Sequence, residues 1–386
     1  MLPELESRNN PGIFSFFSNL KIDWILFFSA LVISSLGLLT MSSFESGDTF
    51  LEKQLIWLAI SILVFFALSF VDYRFLNKTN VVVTIYFLSL ALLSALFILG
   101  HISKGAESWF SFGGISFEPA DPIKLVLIIL LAKYFSRRHV EIANFKHIIV
   151  SGFYTLSFFI LVFFQPDFGS ALVIFLIWFG MILVSGISKK HLLIVFLFGA
   201  TAFSLLWVYG LKDYQKQRVI NFIHPLSDIR GSGYNAYQST IAIGSGQLLG
   251  KGIGYGTQSK LKFLPEYRSD FIFSAFAEEW GLVGVGILFF IFGIFIWRIV
   301  ANAYFGATNF EILFGLGLAI LFMSHFFVNT GMALGLMPVT GIPFPFMSYG
   351  GTNLLTSFVG LGILMGMRRY RRDAHKDTIK NEFLGL

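Results

Sequence analysis

"FLPEYRSDFIFSAFAEEWGLVGVGILFFIFGIFIW", residues 263–297, passes from a charged lead-in to 27 residues, 271–297, whose only ionisable side chains are Glu278 and Glu279. A helix of about 20 apolar residues crosses roughly 30 Å of hydrocarbon. The stretch therefore reads as a membrane-spanning helix with Asp270 at its lip, where a carboxylate is costly and asks for a reason.

The rest of the chain agrees with this reading. It has 386 residues, 55% hydrophobic, with 48 Phe and only 13% charged, and a mean hydropathy of +0.75. These values lie outside the usual range of soluble domains. Apolar runs at 24–43, 54–71, 81–100, 122–135, 148–164, 168–187, 190–210, 271–297, 308–329 and 352–367 predict ten spans. The expected fold class is an all-α polytopic integral membrane protein.

Lys and Arg set the orientation. With ten spans, the segments on the side of the two termini hold 17 Lys/Arg, and the short loops opposite hold two, Lys53 and Lys104. Both termini are expected in the cytoplasm, as tails 1–23 and 368–386 around one transmembrane domain at 24–367. The stretch 211–270 then forms a large outward loop. Its eight Lys/Arg against four Asp/Glu point to function rather than topology, because long loops translocate largely regardless of charge. Residues 1–23 lack a signal-peptide pattern, so the first span is expected to be an uncleaved anchor.

Several function classes drop out. The absence of cysteine excludes disulfides, thiolate catalysis and Cys-based metal sites. The seven histidines show no ligand spacing, and no G-x-S-x-G marks an acyl-enzyme hydrolase. The net charge of +6 sits mainly on the cytoplasmic flanks and tail; it suits anionic membrane lipid, not nucleic acid. No internal repeat is apparent, which weighs against a secondary transporter.

The residues that remain cluster on the outward side. The Gly-rich segment 231–273 holds neither a Walker A loop nor G-x-G-x-x-G; turns and close helix approach account for its glycines, with backbone N–H groups and Lys251 near an anionic head group as the rival reading. Ser269-Asp270 before an apolar run suits a helix N-cap and equally a general base reaching a lipid-linked hydroxyl. Glu278 and Glu279 lie inside the span and call for an interior partner. In "EPADPIKL", 118–125, Asp121 and Lys124 share a helix face, either as a local salt bridge with a snorkelling lysine or as part of a site. As a set, Arg218, Arg230, Lys251, Lys260, Lys262 and Arg268 suit a pyrophosphate leaving group.

These stretches carry a resemblance. Residues 231–284, with "GAESWFSFGGISFEPADPIK" (105–124), "QPDFGSALVI" (165–174), "RVINFIHP" (218–225) and "NTGMALGLMPVTGIPFPFMSYGG" (329–351), resemble the SEDS proteins (shape, elongation, division, sporulation), the bacterial cell-wall polymerases. "IAIGSG", "GKG", "GTQ" and "FLPE" are closer to the rod-shape elongation branch than to the division branch. The resemblance implies a peptidoglycan glycosyltransferase using lipid II at the outer face of the cytoplasmic membrane of a bacterium. Its partner would be a class B penicillin-binding protein, a transpeptidase.

On this basis Asp270 is the expected catalytic base, and Asp121, Lys124, Arg218, Lys251 and Glu266 are the expected substrate-binding residues. No metal site is specified; a divalent cation, Mg or Mn, bridging pyrophosphate to carboxylates fits the chemistry without a motif to demonstrate it. The sequence departs from the family at Glu118-Pro119-Ala120-Asp121-Pro122, where Gln-Pro-Ser-Glu-Phe is usual, and at Lys53-Gln54, where Arg-Gln is common. Direct displacement would turn an α-linked donor into a β-1,4 bond with one base. A lipid II flippase and a non-catalytic transpeptidase scaffold are the rival classes.

Overall fold

The computed structural model describes residues 22–384, apart from 44–48, 100, 104–105, 113–114, 138–144, 211–215, 218–219, 221, 223–232 and 262. The helices are α1 (Trp24–Ser42), α2 (Thr49–Ser69), α3 (Thr79–Leu99), α4 (Ala120–Ser136), α5 (Phe145–Phe164), α6 (Phe168–Val184), α7 (Lys189–Leu205), α8 (Tyr234–Ser245), α9 (Thr257–Lys260), α10 (Ile272–Tyr304), α11 (Asn309–Ala333) and α12 (Gly351–Leu384). Each of the ten expected spans coincides with one of the long helices. Six, α1, α2, α3, α5, α10 and α11, are long and apolar enough to cross a membrane by length and composition alone. The 17 residues of α4, α6 and α7 give about 25 Å each.

The all-α expectation needs one addition. Residues 101–117 form a three-stranded antiparallel sheet, β1 (His101–Ser103), β2 (Ala106–Phe112) and β3 (Ile115–Phe117), in the order β1-β2-β3. Aromatic residues such as Trp109, Phe110, Phe112 and Phe117 favour a pleated surface. Strands of three to seven residues leave almost no periodicity to read.

The bundle packs around α11, which contacts α4, α6, α10 and α12, while α12 lies along α2 and α10 along α1. Burial follows membrane rules. Leu63, Phe153, Phe290 and Ile98 are exposed, whereas Gln54, Asp121, Lys124, Glu278, Glu279, His325 and Asn329 are buried. Hydrocarbon solvates the former, and only protein partners can satisfy the latter.

α10 is broken. Gly281 has φ 65° and ψ −168° inside it, a conformation that favours glycine. The Gly-rich segment 246–252 docks into the break: Lys251 N and Gly252 N donate to Glu278 O and Glu279 O, both at 3.0 Å, and Leu282 N and Val283 N donate to Gln247 O and Leu248 O at 2.9 and 3.1 Å. A Cβ on Gly281 would meet Gly250 N at 2.2 Å. Interrupted helices survive in a bilayer when protein re-satisfies the freed backbone groups, and this segment does so. Part of the expected outward loop is thus built into the bundle.

Residues 334–350, between α11 and α12, are also non-helical, and 344–348 among them are buried. Phe344 stacks on Phe273 and packs against Phe292 and Phe326; Phe346 packs against Phe295, Phe322 and Phe358. Phe346 has φ 64°, a conformation that costs about 1–3 kcal/mol and is held here by ring contacts.

At the opposite end Asp23, buried ahead of α1, gathers three neighbours. Its Oδ2 accepts from Arg298 Nε at 3.0 Å and Asn302 Nδ2 at 2.8 Å, and Arg368 Nη1 lies at 3.1 Å. Its Oδ1 caps α1 through Leu26 N at 3.2 Å. Burial opposes ionisation of Asp23, but the bonds from Arg298, Asn302 and Leu26 outweigh it and hold the carboxyl below its usual range.

Candidate functional site

Asp270 lies in the turn 265–271 and is half-buried. It does not cap the helix: the N-cap of α10 is Phe271, with no side-chain cap bond. The N-cap reading of Ser269-Asp270 is therefore corrected. The turn is shaped one step earlier, where Glu266, at φ 52°, offers its carbonyl to Ser269 N at 3.2 Å and Phe271 N at 3.1 Å. Its exposed carboxylate accepts from Ser269 Oγ at 2.9 Å.

Segment 334–350 fixes this turn from the other side. Ser348 Oγ donates to Ser269 O at 2.5 Å, and Tyr349 N donates to Arg268 O at 2.8 Å. Asn329 Nδ2 donates to both Asp270 O and Ile342 O at 2.8 Å. Gly341, at φ 76°, lies against the Asp270 carboxylate, whose Oδ2 is 3.4 Å from where a Cβ would stand. The arrangement fixes the Asp270 backbone and sets its carboxylate against Gly341.

The same segment borders a second cluster. A Cβ on Gly169, in the first turn of α6, would meet Thr340 O at 2.5 Å, and next to Gly169 Ser170 Oγ approaches Glu118 Oε1 at 3.5 Å. Asp167 caps α6 through Ser170 N at 3.0 Å. Lys124 Nζ pairs with Asp121 Oδ1 at 3.0 Å, with side chains only 2% and 5% exposed, and Asn353 Nδ2 reaches the same oxygen at 3.2 Å. Thr352 Oγ1 accepts from Glu118 N at 3.2 Å. Thr340-Gly341-Ile342 thus separates Asp270 from the acid and lysine cluster by one loop.

The expected binding residues divide accordingly. Asp121 and Lys124 lie in the cluster and Glu266 supports the Asp270 turn, whereas Arg218 falls outside the described residues. Lys251 is committed elsewhere: its Nζ donates to Glu278 Oε1 at 2.8 Å, which also receives Thr257 Oγ1 and Gln258 N at 3.1 Å. The other glutamate, Glu279, accepts Gly254 N at 2.7 Å. The two intramembrane glutamates therefore clamp the segment that plugs the helix break. Arg268, two residues before Asp270, stands over the rings of Phe50 and Tyr267 at 4.7 and 5.1 Å.

Sequence reasoning assigned no role to Asn329, Asp167, Ser170, Asn353 or His325. Asn329 and His325 carry the signal that singled out Glu278, a polar side chain inside an apolar span. Asp167 is an N-cap whose second role appears only when α6 meets Glu118. Among the described residues no three His, Asp or Glu side chains are placed to hold a metal ion, and Lys124 already supplies the cation beside Asp121.

Burial, and then the carboxylates Asp121 and Asp167, push Glu118 well above the ordinary range of a carboxyl, against the opposing effects of Lys124 and Ser170. The site thus combines a half-exposed carboxylate fit to accept a proton with an ion pair and an adjacent acid that favours its neutral form.

A family profile described as the FtsW, RodA and SpoVE cell cycle proteins matches residues 17–373. The chain is 32% identical over 373 residues to the peptidoglycan glycosyltransferase MrdB of Escherichia coli, covering 96% of this chain and 100% of that protein. A solved chain from work on a peptidoglycan synthase complex that coordinates polymerization and crosslinking superimposes with a TM-score of 0.78 at 31% identity, covering 91% and 98% of the two chains. The rod shape determining protein RodA of Thermus thermophilus gives 0.67 at 30% identity, covering 91% and 97%. With the match running from the first span into the basic tail, this multi-pass membrane protein belongs to the FtsW, RodA and SpoVE family.

Proposed function

We propose that this chain, a membrane-embedded peptidoglycan glycosyltransferase like its relatives, polymerises lipid II into β-1,4-linked glycan at the outer face of the cytoplasmic membrane during cell elongation. The observation that carries the reading is Asp270: a carboxylate off the helix cap, beside bare Gly341, one loop away from the Asp121–Lys124 pair.

In this reading Asp270 takes the proton from the GlcNAc 4-hydroxyl of one lipid II. The oxygen attacks the anomeric carbon at the lipid-pyrophosphate end of the growing strand, the bond to pyrophosphate breaks, and the configuration inverts. Asn329 and Glu266 hold the base in place. Lys124 and Arg268 are the described cations best placed for the departing charge. Transpeptidation is left to a partner of the class B penicillin-binding type.

The test is polymerisation of purified labelled lipid II, with and without that partner, by the wild type and by Asp270→Asn at matched folding. Glycan ladders from the wild type alone support the reading. Equal ladders from both remove Asp270 from the chemistry, and none from either with the partner present favours lipid transport or scaffolding.

A further inference from the structure

Among the described residues, the cluster at the mouth holds more negative charge than its one cation, Lys124, can balance. Lys124 on α4 faces Asp121, Glu118 and Asp167, and no other Lys or Arg acts on Glu118 among the described residues. Each acid has a different remedy. Asp121 has the ammonium at 3.0 Å and the Asn353 amide at 3.2 Å. Asp167 has the free amides of the α6 N-terminus, Ser170 N at 3.0 Å among them, where a negative charge is favoured. Glu118 has a single hydroxyl at 3.5 Å. Low-dielectric surroundings with an unmatched acid are relieved by a proton, and the acid with the poorest partners takes it.

The remaining neighbours do not change this order. α12 presents only Thr352 and Asn353, and α11 presents His325, buried near Lys124 with Nε2 lacking a partner among the described residues. A neutral Glu118 donates a hydrogen bond; an ionised one adds uncompensated negative charge where an anionic substrate must enter.

We propose that Glu118 is a neutral carboxylic acid at working pH and a substrate-binding residue, donating to a phosphate oxygen of a polyphosphate-linked glycosyl donor beside Lys124. Gln presents a donor of the same length, and it is the residue that the resemblance leads one to expect there. The role rests on the polymerase reading above, while the protonation state does not.

The experiment measures lipid II kinetics with the full chain and its transpeptidase partner from neutral to alkaline pH, for the wild type, Glu118→Ala and Glu118→Gln, together with the infrared protonated-carboxyl band. Loss of one hydrogen bond to a charged group raises KM about tenfold in Glu118→Ala with kcat little altered. Glu118→Gln rescues that KM and abolishes the alkaline rise, which in the wild type is about tenfold per pH unit above the Glu118 pKa. The band is present in the wild type at neutral pH and lost in both variants. Equal alkaline limbs in wild type and Gln variant, or failure of Gln to rescue, overturn the proposal. Intact polymerisation with an unaltered band overturns it alone. No glycan from the wild type at any pH removes the binding role together with the reading it rests on, while the band still reports the proton.

Discussion

Two ionic clusters stand at opposite ends of the bundle, one just before α1 and one at the starts of α4 and α6, and their charge ratios are reversed. At the inner end one carboxylate, Asp23, meets Arg298, Arg368 and Asn302. At the outer end Glu118, Asp121 and Asp167 share one ammonium among the described residues, Lys124. Surplus donors fix a carboxylate as an anion and tie three helices together. Surplus acid leaves a group that must hold a proton, which suits chemistry and not mere cohesion. The stoichiometry of charge distinguishes the clamp from the site.

The comparison breaks most visibly at Asp270. Asp270→Asn is expected to lower polymerisation by about 10²–10⁴-fold; an unfolding curve beside the lipid II assay separates loss of chemistry from loss of fold. The next effect is on stability rather than on chemistry and follows Lys124→Met. Asp121 is then left buried with only an amide, at about 3–5 kcal/mol. The double variant Asp121→Asn, Lys124→Met recovers most of that stability in detergent unfolding without recovering activity. A double variant no more stable than the single would show that the pair does not act as one unit.

At the inner end, Asp23→Asn costs about 1–3 kcal/mol, since the side chains of Arg298 and Arg368 are 22% and 37% exposed and hydrate when released. Turnover per folded molecule stays near that of the wild type; a matching loss of turnover would dissolve the distinction between the two ends. The smallest effect is one of pH. Because the Asp23 carboxyl is held below its usual range, its stabilisation is complete above an unfolded pKa of about 3.9 and is lost as pH falls through the lower folded value. The stability gap between wild type and Asp23→Asn should therefore narrow only below about pH 4.

Much of this was legible without coordinates. The ten spans, the acid-to-lysine pair at 121 and 124 and the isolated Asp270 were all readable, because apolar run length, i to i+3 spacing and a carboxylate at a hydrocarbon boundary are local properties. The part played by Glu278 was not. Its place in the span announced an interior partner, yet nothing local named Lys251, Thr257 and Gln258, 20–27 residues away. Lys251 shows the converse: nothing local announced that this loop lysine, 28% exposed, pairs with the buried Glu278. The strands at 101–117 were too short to carry a period.

The amino-acid sequence by itself determined that the chain crosses a membrane many times, how its spans are ordered and which family motifs it carries, because hydrocarbon thickness selects on contiguous residues. Only the tertiary structure decided what the charged residues do. Asn329 reaches the Asp270 carbonyl across 59 positions, Ser170 reaches Glu118 across 52 and Asn353 reaches Asp121 across 232. Whether an acid is an anion, a cap or a proton carrier depends on the partners packing brings within about 3 Å, and separations of that size leave no pattern along the chain.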